Sequence, residues 1–326
     1  MLYLNKRDIL QALTLDEVID CVEEALDIYE DEAYVMPERM AVPTGDTNQL
    51  LLMPCVASDN IATKLVSVYP GNKARGRPVI DGLVVLYDRA TAEILSLMDG
   101  RTITAMRTGA VTGVSVKHLA KPDAHSVGLV GCGVQGYYQL LYACAVREIS
   151  RILLFDIDPD ATSALRERLQ AEQKLPSIEI DVADSTEALL RDSGIVITAT
   201  TARAPVFPDD PARFEGKHCV AIGSFEPDVR EYPDALFTRI ERVWVDIAFA
   251  KEESGELIIP LKKGLLDEGQ IETLGHFIRS GRSPERGPYG TTFSKSVGMA
   301  LFDLTTARRA YANACEKGLG TELSNA

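Results

Sequence analysis

The sequence predicts an α/β protein in which a doubly wound parallel sheet follows an N-terminal α+β segment. Strand-like apolar runs alternate with helical patterns across residues 119–294, which is the order of a parallel sheet with helices on both faces. Residues 40–98 instead hold short β-rich runs between turn residues, which is typical of an antiparallel or mixed sheet. The length of 326 residues fits two domains, at roughly 150 residues for each domain.

The N-terminal segment is predicted to contain a surface helix, a sheet and a connecting helix. Residues 15–32 carry apolar side chains at helical spacing, with Thr14 as a candidate N-cap. Turn residues separate the four β-rich runs that follow, LLLMPCVA, IATKLVSVYP, GLVVLYD and AEILSLMD. Residues 102–119 combine small side chains with helical periodicity, so they predict a helix that leads into the second domain.

The middle of the chain is predicted to form a Rossmann-type sheet. Its predicted strands are residues 126–130, 151–155, 177–182, 195–199, 218–222 and 242–246. Its predicted helices are residues 135–146, 160–173 and 186–192. Residues 290–314 are rich in small side chains and predict one long helix that returns to the first domain.

Composition and charge exclude several classes of protein. The net charge of −14 argues against nucleic-acid binding, because phosphate contacts depend on clustered Lys and Arg. No apolar stretch approaches the ~20 residues of a membrane span, and the acidic N-terminal segment does not resemble a secretory signal. We therefore expect a cytoplasmic protein.

The cysteines and histidines predict neither disulfides nor a metal site. The six cysteines are scattered without C-x-x-C spacing, and the four histidines are scattered too. We expect reduced thiols in the core.

A glycine-rich loop is the strongest motif. Gly131, Gly133 and Gly136 match G-x-G-x-x-G, and the loop follows a predicted strand and opens a predicted helix. Such a loop brings a pyrophosphate close to the backbone and to the helix N-terminus, here Val134 and Gln135. The alternative is a set of structural turn glycines.

Asp156 lies at the end of the next predicted strand, twenty residues after Gly136. A carboxylate there accepts from the adenosine ribose hydroxyls and repels a 2′-phosphate, so NAD is favoured over NADP. Asp158-Pro159 already supplies the cap of the following helix, which leaves Asp156 free for this role. Thr198 and Thr200 end a predicted strand and are expected near the cofactor, with a plain loop as the alternative.

Three basic residues stand apart from the acidic background, Arg39, Lys64 and Arg107, and the last two have apolar or small neighbours. Burying a cation requires a nearby anion, so these residues predict a site for a substrate carboxylate. The alternative is that each cation pairs with an internal Asp or Glu, which a chain with 48 acids easily provides.

Several stretches together resemble the ornithine cyclodeaminase and mu-crystallin family over nearly the whole chain. They are KLVSVYPGN, GRPVIDGLVVLYD, MRTGAVTGVSVKHLA, GLVGCGVQG, IGSFEPDVREYPDALF, ESGELIIPL and TTFSKSVGMALFDLTTA. The resemblance implies a Rossmann NAD-binding domain, residues 119–294, inserted in a substrate-binding and dimerisation domain made of residues 1–118 and 295–326. It also implies a homodimer, and reactions such as ornithine cyclodeamination, alanine dehydrogenation and reduction of cyclic ketimines.

The resemblance implies roles for the three basic residues. Arg39, Lys64 and Arg107 match positions that bind the substrate carboxylate and polarise the reacting imine or carbonyl. Lys64 is the expected general acid/base, since a lysine in a closed, positively charged pocket can have its pKa lowered toward neutrality. Arg107 is expected to face the substrate or the cofactor. Met53 is placed with them in the expected substrate pocket, whereas Glu256 and Lys295 lie in family-like stretches with structural roles equally open.

Position 225 departs from the cyclodeaminase pattern. In ornithine cyclodeaminases a catalytic Asp lies two residues after the glycine that matches Gly223, and this chain has Phe225 there. A pocket without that carboxylate lacks a partner for a substrate ammonium. The first hypothesis is therefore an NAD(H)-dependent oxidoreductase of a small L-amino acid or its imino or keto acid. An ornithine cyclodeaminase that retains NAD, and a non-catalytic ligand-binding protein, remain as alternatives.

Overall fold

The computed structural model describes residues 1–172, 175, 177–224 and 226–324. The chain divides into two compact units, Met1–Arg107 with Met299–Ala326, and Thr108–Gly298. Helix α3, Gly100–Leu119, contains the first boundary between them. None of the helices in the described ranges combines the length and apolar character that a membrane-spanning segment requires.

The first unit contains a mixed sheet. Its strands are β1 (Leu2–Leu4), β2 (Tyr34–Val35), β3 (Met40–Pro43), β4 (Gln49–Ala57), β5 (Asn60–Val68), β6 (Ile80–Asp88), β7 (Ile94–Asp99) and, from the C-terminal end, β16 (Thr321–Glu322). The order is β16-β1-β7-β6-β5-β4-β2, and β3 also pairs with β4. Strands β1 and β7 are parallel, whereas β4, β5, β6 and β7 form an antiparallel meander.

Helices cover this sheet. They are α1 (Lys6–Ala12), α2 (Leu15–Glu30) and α11 (Ala300–Lys317). The predicted cap of α2 is confirmed, because Thr14 and Glu17 form a reciprocal capping box. Helix α11 packs against α2 and against β4, β5 and β6, which places a C-terminal helix over the strand that carries Lys64.

The second unit contains a parallel sheet. Its strands are β8 (Ser126–Val130), β9 (Arg151–Phe155), β10 (Glu179–Val182), β11 (Ile195–Thr198), β12 (His218–Ala221), β13 (Val243–Val245), β14 (Ile271–Thr273) and β15 (Thr292–Lys295). The order is β10-β9-β8-β11-β12-β15-β13-β14, and each neighbouring pair is parallel in the described part of the chain. The strand order reverses beside β8, and ligands bind at the carboxyl edge beside such a point.

The helices of the second unit alternate with its strands. They are α4 (Val134–Val146), α5 (Pro159–Ala171), α6 (Thr186–Asp192), α7 (Asp234–Phe237), α8 (Ala250–Glu253), α9 (Gly255–Lys263) and α10 (Leu274–Ser280). The predicted fold class is confirmed: along the chain, a doubly wound parallel sheet is inserted in an α+β unit that both chain ends form.

The prediction of one helix over residues 290–314 is wrong at its start. Thr292–Lys295 forms β15, which lies between β12 and β13, and α11 begins only at Ala300. Thr292 is β-branched and Phe293 is aromatic, and both residue types suit a buried strand. Gly298, with φ of 78°, and the extended Met299 then separate the strand from the helix.

Candidate active site

The glycine loop lies between β8 and α4, as predicted. Gly131 has φ of 101°, a backbone conformation that favours glycine. A Cβ atom on Gly136 would lie 2.2 Å from Gly131 O, so this glycine lets the helix approach the loop closely. A Cβ on Gly133 would meet no atom within 4 Å, so the space beside the helix N-terminus is open.

The first turn of α4 is suited to an anion. Gly133 is its N-cap and supplies no side-chain hydrogen bond, so the N–H groups of Val134 and Gln135 are not capped by that residue. These two residues lie beside the open space at Gly133. The glycine loop and this helix N-terminus therefore fit the pyrophosphate of a dinucleotide.

Asp156 lies at the end of β9 beside the loop. Its Oδ2 accepts from the N–H of Cys132 at 2.7 Å, and its Oδ1 accepts from the N–H of Asp158 at 3.0 Å. The predicted cap is confirmed as well, because Asp158 accepts from Asp160 N and Pro159 begins α5. The carboxylate of Asp156 is thus held at the carboxyl edge of the sheet with acceptor capacity remaining.

Thr198 and Thr200 face a buried carboxylate that sequence reasoning missed. Glu231 Oε1 accepts from the N–H and the hydroxyl of Thr200, both at 2.8 Å. Its Oε2 accepts from the Thr198 hydroxyl and from Gly223 N, again at 2.8 Å. Glu231 therefore joins the segments that follow β11 and β12 at this edge. Direct contact of the two threonines with a cofactor stays a prediction.

A second buried carboxylate supports Glu231. Glu256 accepts from the backbone N–H groups of Glu231 and Tyr232, at 2.7 and 3.0 Å. Burial, together with the charge of Glu231, raises the pKa of Glu256 to about 7, and Lys295 opposes the shift. Lys295 is itself buried, which lowers its pKa, and it donates to Ala221 O at 3.3 Å. Both Glu256 and Lys295 thus contact backbone groups of the second unit.

Lys64 and Arg107 meet at one carboxylate in the first unit. Lys64 Nζ lies 2.7 Å from Asp303 Oδ2, and Arg107 Nε lies 3.1 Å from Asp303 Oδ1. The three side chains come from β5, α3 and α11 and are almost completely buried. The alternative weighed from the sequence, pairing with an internal acid, is thus what Lys64 and Arg107 do.

The environment of Lys64 favours its neutral form more than water does. Burial, together with the charges of Arg107 and Arg39, lowers its pKa to about 8, and Asp303 opposes the shift. Lys64 can therefore release and regain a proton near neutral pH.

Two further residues of the predicted pocket can be placed. Met53 on β4 is the cross-strand partner of Lys64 and is buried, so it forms part of the surface around the lysine. Arg39 is half-buried and directly precedes β3. Phe225 lies outside the described residues.

Asp303 was not predicted from the sequence, although the sequence around it has a pattern that indicates a buried charge. It is a single charge between apolar residues in ALFDLTTA, the same pattern that singled out Lys64 and Arg107. Across the ranges that the structure describes, no group of His, Cys, Asp or Glu could hold a metal ion.

Residues 2–318 match the model of the ornithine cyclodeaminase/mu-crystallin family. The chain belongs to this family. A Δ1-pyrroline-2-carboxylate reductase of Bacillus cereus is 31% identical over 328 residues, which cover 99% of each protein.

Solved structures of the same family share the fold. The Δ1-pyrroline-2-carboxylate reductase of Thermococcus litoralis, in complex with NADH and L-proline, is 35% identical with a TM-score of 0.92 and covers 99% of this chain and 100% of its own. An archaeal alanine dehydrogenase dimer with bound NAD is 26% identical with a TM-score of 0.90 and covers 100% of this chain and 99% of its own. The predicted cofactor, NAD, and the predicted NAD(H)-dependent oxidoreductase of a small L-amino acid or its imino or keto acid are confirmed.

Proposed function

We propose that the chain reduces a small cyclic imino acid of the Δ1-pyrroline-2-carboxylate class to the L-amino acid, with NADH as the hydride donor. The buried Lys64, paired with Asp303 beside two arginines, is the observation on which the proposal depends. Support comes from two Δ1-pyrroline-2-carboxylate reductases, which are 31% and 35% identical over nearly the whole chain.

The charges around Lys64 favour a substrate that is a monoanion. In the described part of the chain, Lys64 and Arg107 share the one carboxylate of Asp303, so these two cations exceed their anion by one charge. A substrate carboxylate neutralises part of this excess positive charge. A second ammonium group, as in ornithine, would instead add a cation to the cluster, which favours the imino acid over the diamine.

The residues of the first unit supply binding and a proton. Arg39 and Arg107 bind the substrate carboxylate, and Lys64 donates a proton from Nζ to the imine nitrogen. NADH, when bound, supplies the hydride to the imine carbon, so that C=N becomes C–H and N–H. Lys64 is left neutral and regains its proton from solvent, which its lowered pKa permits.

The residues of the second unit hold the cofactor. The N–H groups at the start of α4 bind the pyrophosphate beside Gly133, and Asp156 accepts from the adenosine ribose hydroxyls. Thr198 and Thr200 form the neighbouring edge of the cofactor site, fixed by Glu231.

A spectrophotometric screen at about 340 nm, where NADH absorbs and NAD does not, tests the proposed reaction. We expect kcat/KM for Δ1-pyrroline-2-carboxylate or its six-membered homologue to exceed that for pyruvate with ammonia by at least about tenfold. L-proline with NAD should give the reverse reaction. Faster turnover of pyruvate and ammonia than of either cyclic imine would overturn the proposal.

Alanine dehydrogenation is the second candidate function. Its support is the archaeal alanine dehydrogenase, which is 26% identical and shares the fold over the whole chain. The same screen separates the two, because alanine dehydrogenation requires ammonia as a second substrate and cyclic imine reduction does not.

Two remaining alternatives give other outcomes. An ornithine cyclodeaminase would form proline and ammonia from ornithine without net NADH, and stoichiometric NADH formation would exclude it. A non-catalytic binding protein would bind NADH without turnover of any tested imino acid, keto acid or amino acid.

The protein is proposed to act as a cytoplasmic homodimer. Large apolar side chains are exposed on β2, β3 and β6 of the first unit, namely Val35, Met40, Val42, Ile80 and Leu83. Exposed apolar side chains are found at protein interfaces, and we propose that a second copy of the chain covers these. Light scattering should give twice the chain mass, and Met40→Glu should shift the protein toward the monomer.

A further inference from the structure

Asp303 contacts two buried cations of the first unit, Lys64 and Arg107. Its two oxygens are divided between them, with Oδ2 accepting from Lys64 Nζ at 2.7 Å and Oδ1 accepting from Arg107 Nε at 3.1 Å. A carboxylate that bridges two cations fixes the separation and the direction of both.

We infer that Asp303 is a positioning residue that holds the ammonium of Lys64 as the proton donor and presents Arg107 to the substrate carboxylate. The inference rests on the proposed function, because it assigns the proton to Lys64. Asp303 touches neither substrate nor cofactor in this role and acts through the two cations.

The contacts of Arg107 show how this works. Its guanidinium meets Asp303 through Nε, and the terminal Nη1 and Nη2 have no hydrogen-bond partner within the described ranges. The fork of Nη1 and Nη2 is therefore available for a bidentate contact with a second carboxylate. Asp303 therefore orients Arg107 through Nε and leaves Nη1 and Nη2 available for the substrate.

Lys64 also keeps donors available after its contact with Asp303. An ammonium has three donor directions, and Asp303 takes one of them in the described part of the chain. The remaining protons can be aimed at a substrate nitrogen. Without Asp303 the flexible lysine side chain would lose the contact that fixes its direction.

The charged groups around Lys64 shift its pKa in opposite directions. Asp303 on α11 stabilises the protonated lysine, whereas Arg107 on α3 and Arg39 before β3 favour the neutral form. The cross-strand partners of Lys64 are uncharged, Met53 on β4 and Val84 on β6.

One thiol also lies near the carboxylate. The pKa of Cys55 on β4 is raised to about 12 by burial first and then by the charge of Asp303, so the thiol stays neutral at working pH. Asp303 is thus the anion that keeps Lys64 protonated in this cluster.

The decisive experiment compares the wild type with Asp303→Asn in two measurements. The first is the pH profile of kcat/KM for reduction of Δ1-pyrroline-2-carboxylate by NADH. Protonated Lys64 is the donor, so activity falls as pH rises through its pKa. Removing the anion lowers that pKa, and we expect the falling limb to move to lower pH by about 1 to 3 units.

The second measurement needs no substrate. The pKa of the Lys64 ammonium is read from 15N-lysine spectra of the wild type and the variant, with Lys64→Arg used to assign the signal. We expect the same downward shift in Asp303→Asn. If the wild type reduces no cyclic imine, the proposed function fails, and this titration still tests Asp303.

Two further variants separate positioning from stability. Asp303→Glu keeps the charge and should hold the pH limb within a few tenths of a unit while lowering kcat more than it changes KM. Glu316→Gln, an exposed carboxylate on the same helix, should change neither measurement. An Asp303→Asn variant with an unmoved pH limb and an unmoved Lys64 titration would overturn the inference.

Discussion

The backbone N–H of Cys132 donates a hydrogen bond of 2.7 Å to Asp156 Oδ2. This bond joins the middle of the glycine loop to the end of β9, and Asp158 N holds the other oxygen at 3.0 Å. The carboxylate is thus oriented before any cofactor binds, which reduces the entropy lost on binding.

The first prediction concerns the choice of cofactor. Asp156→Ala removes an acceptor for the ribose hydroxyls and the anion that repels a 2′-phosphate. We expect the Kd for NADH to rise about tenfold, which corresponds to about 1.4 kcal/mol, and the Kd for NADPH to rise less. Titration followed by nucleotide fluorescence measures both values.

Asp158→Ala is the matched control for this change. It removes the N-cap of α5 and should lower the free energy of unfolding by about 1 kcal/mol without changing the ratio of the two Kd values. A wild-type protein that binds NADPH more tightly than NADH would contradict the role assigned to Asp156.

The second prediction separates two glycines of the same loop. A Cβ on Gly136 would meet Gly131 O at 2.2 Å and Leu129 Cδ2 at 2.9 Å, so Gly136→Ala should lower both the melting temperature and NADH affinity. Gly133→Ala meets open space at φ of −80°, so it should weaken NADH binding with little change in melting temperature. Equal loss of stability in both variants would show that Gly133 has no specific role toward the cofactor.

Local sequence patterns predicted strands of the parallel sheet well, and they failed where the pattern fits a helix as well as a strand. Strands 126–130 and 151–155 were predicted with the bounds that the structure shows, because apolar runs and turn residues coincide there. Residues 292–295 were assigned to a helix because they lie in a stretch rich in small residues, and four residues alone have no distinctive period. Only their pairing with β12 and β13 identifies them as a strand.

The sequence predicted the basic residues of the candidate site but not the acidic residues that pair with them. A lysine and an arginine among apolar neighbours indicate a nearby anion, and this reasoning found Lys64 and Arg107. It could not find Asp303, which is 239 residues from Lys64 along the chain and meets it only through the packing of α11 on the sheet. Glu231 was missed for a similar reason, because its four donors come from two separate segments of the chain.

The third prediction concerns Glu231. The Glu231 carboxylate accepts four hydrogen bonds, all from N–H or O–H donors. In Glu231→Gln the side-chain amide would place its own N–H groups against some of these donors. We expect a loss of about 1.5 to 3 kcal/mol in the free energy of unfolding, together with weaker NADH binding. Chemical denaturation and nucleotide titration measure the two effects.

Glu226→Gln is the control for Glu231→Gln. This exposed carboxylate pairs with Arg203 at 3.2 Å on the surface, where an ion pair contributes little. The control should therefore match the wild type in stability and in NADH affinity. A Glu231→Gln variant that also matches the wild type would show that the two segments keep their positions without this carboxylate.

The fourth prediction is the pH dependence of the wild-type reaction. The protonated form of Lys64 donates the proton, and its pKa is lowered to about 8, first by burial and then by Arg107 and Arg39. Reduction should therefore be independent of pH well below 8 and fall as pH rises through that value. In the direction of oxidation the neutral lysine accepts the proton, so the rate should instead rise through the same range.

Lys64→Met tests whether the fall in activity near pH 8 reports the titration of Lys64. The methionine fills similar space without an ammonium, so kcat should fall by about 10² to 10⁴, the usual contribution of a general acid, while NADH affinity stays unchanged. The residual activity should lose the limb near pH 8, because no group in the variant titrates with the lysine. Lys262→Met, a change at an exposed position, should keep both the wild-type rate and the wild-type profile. A limb that persists in Lys64→Met would assign the proton to another group.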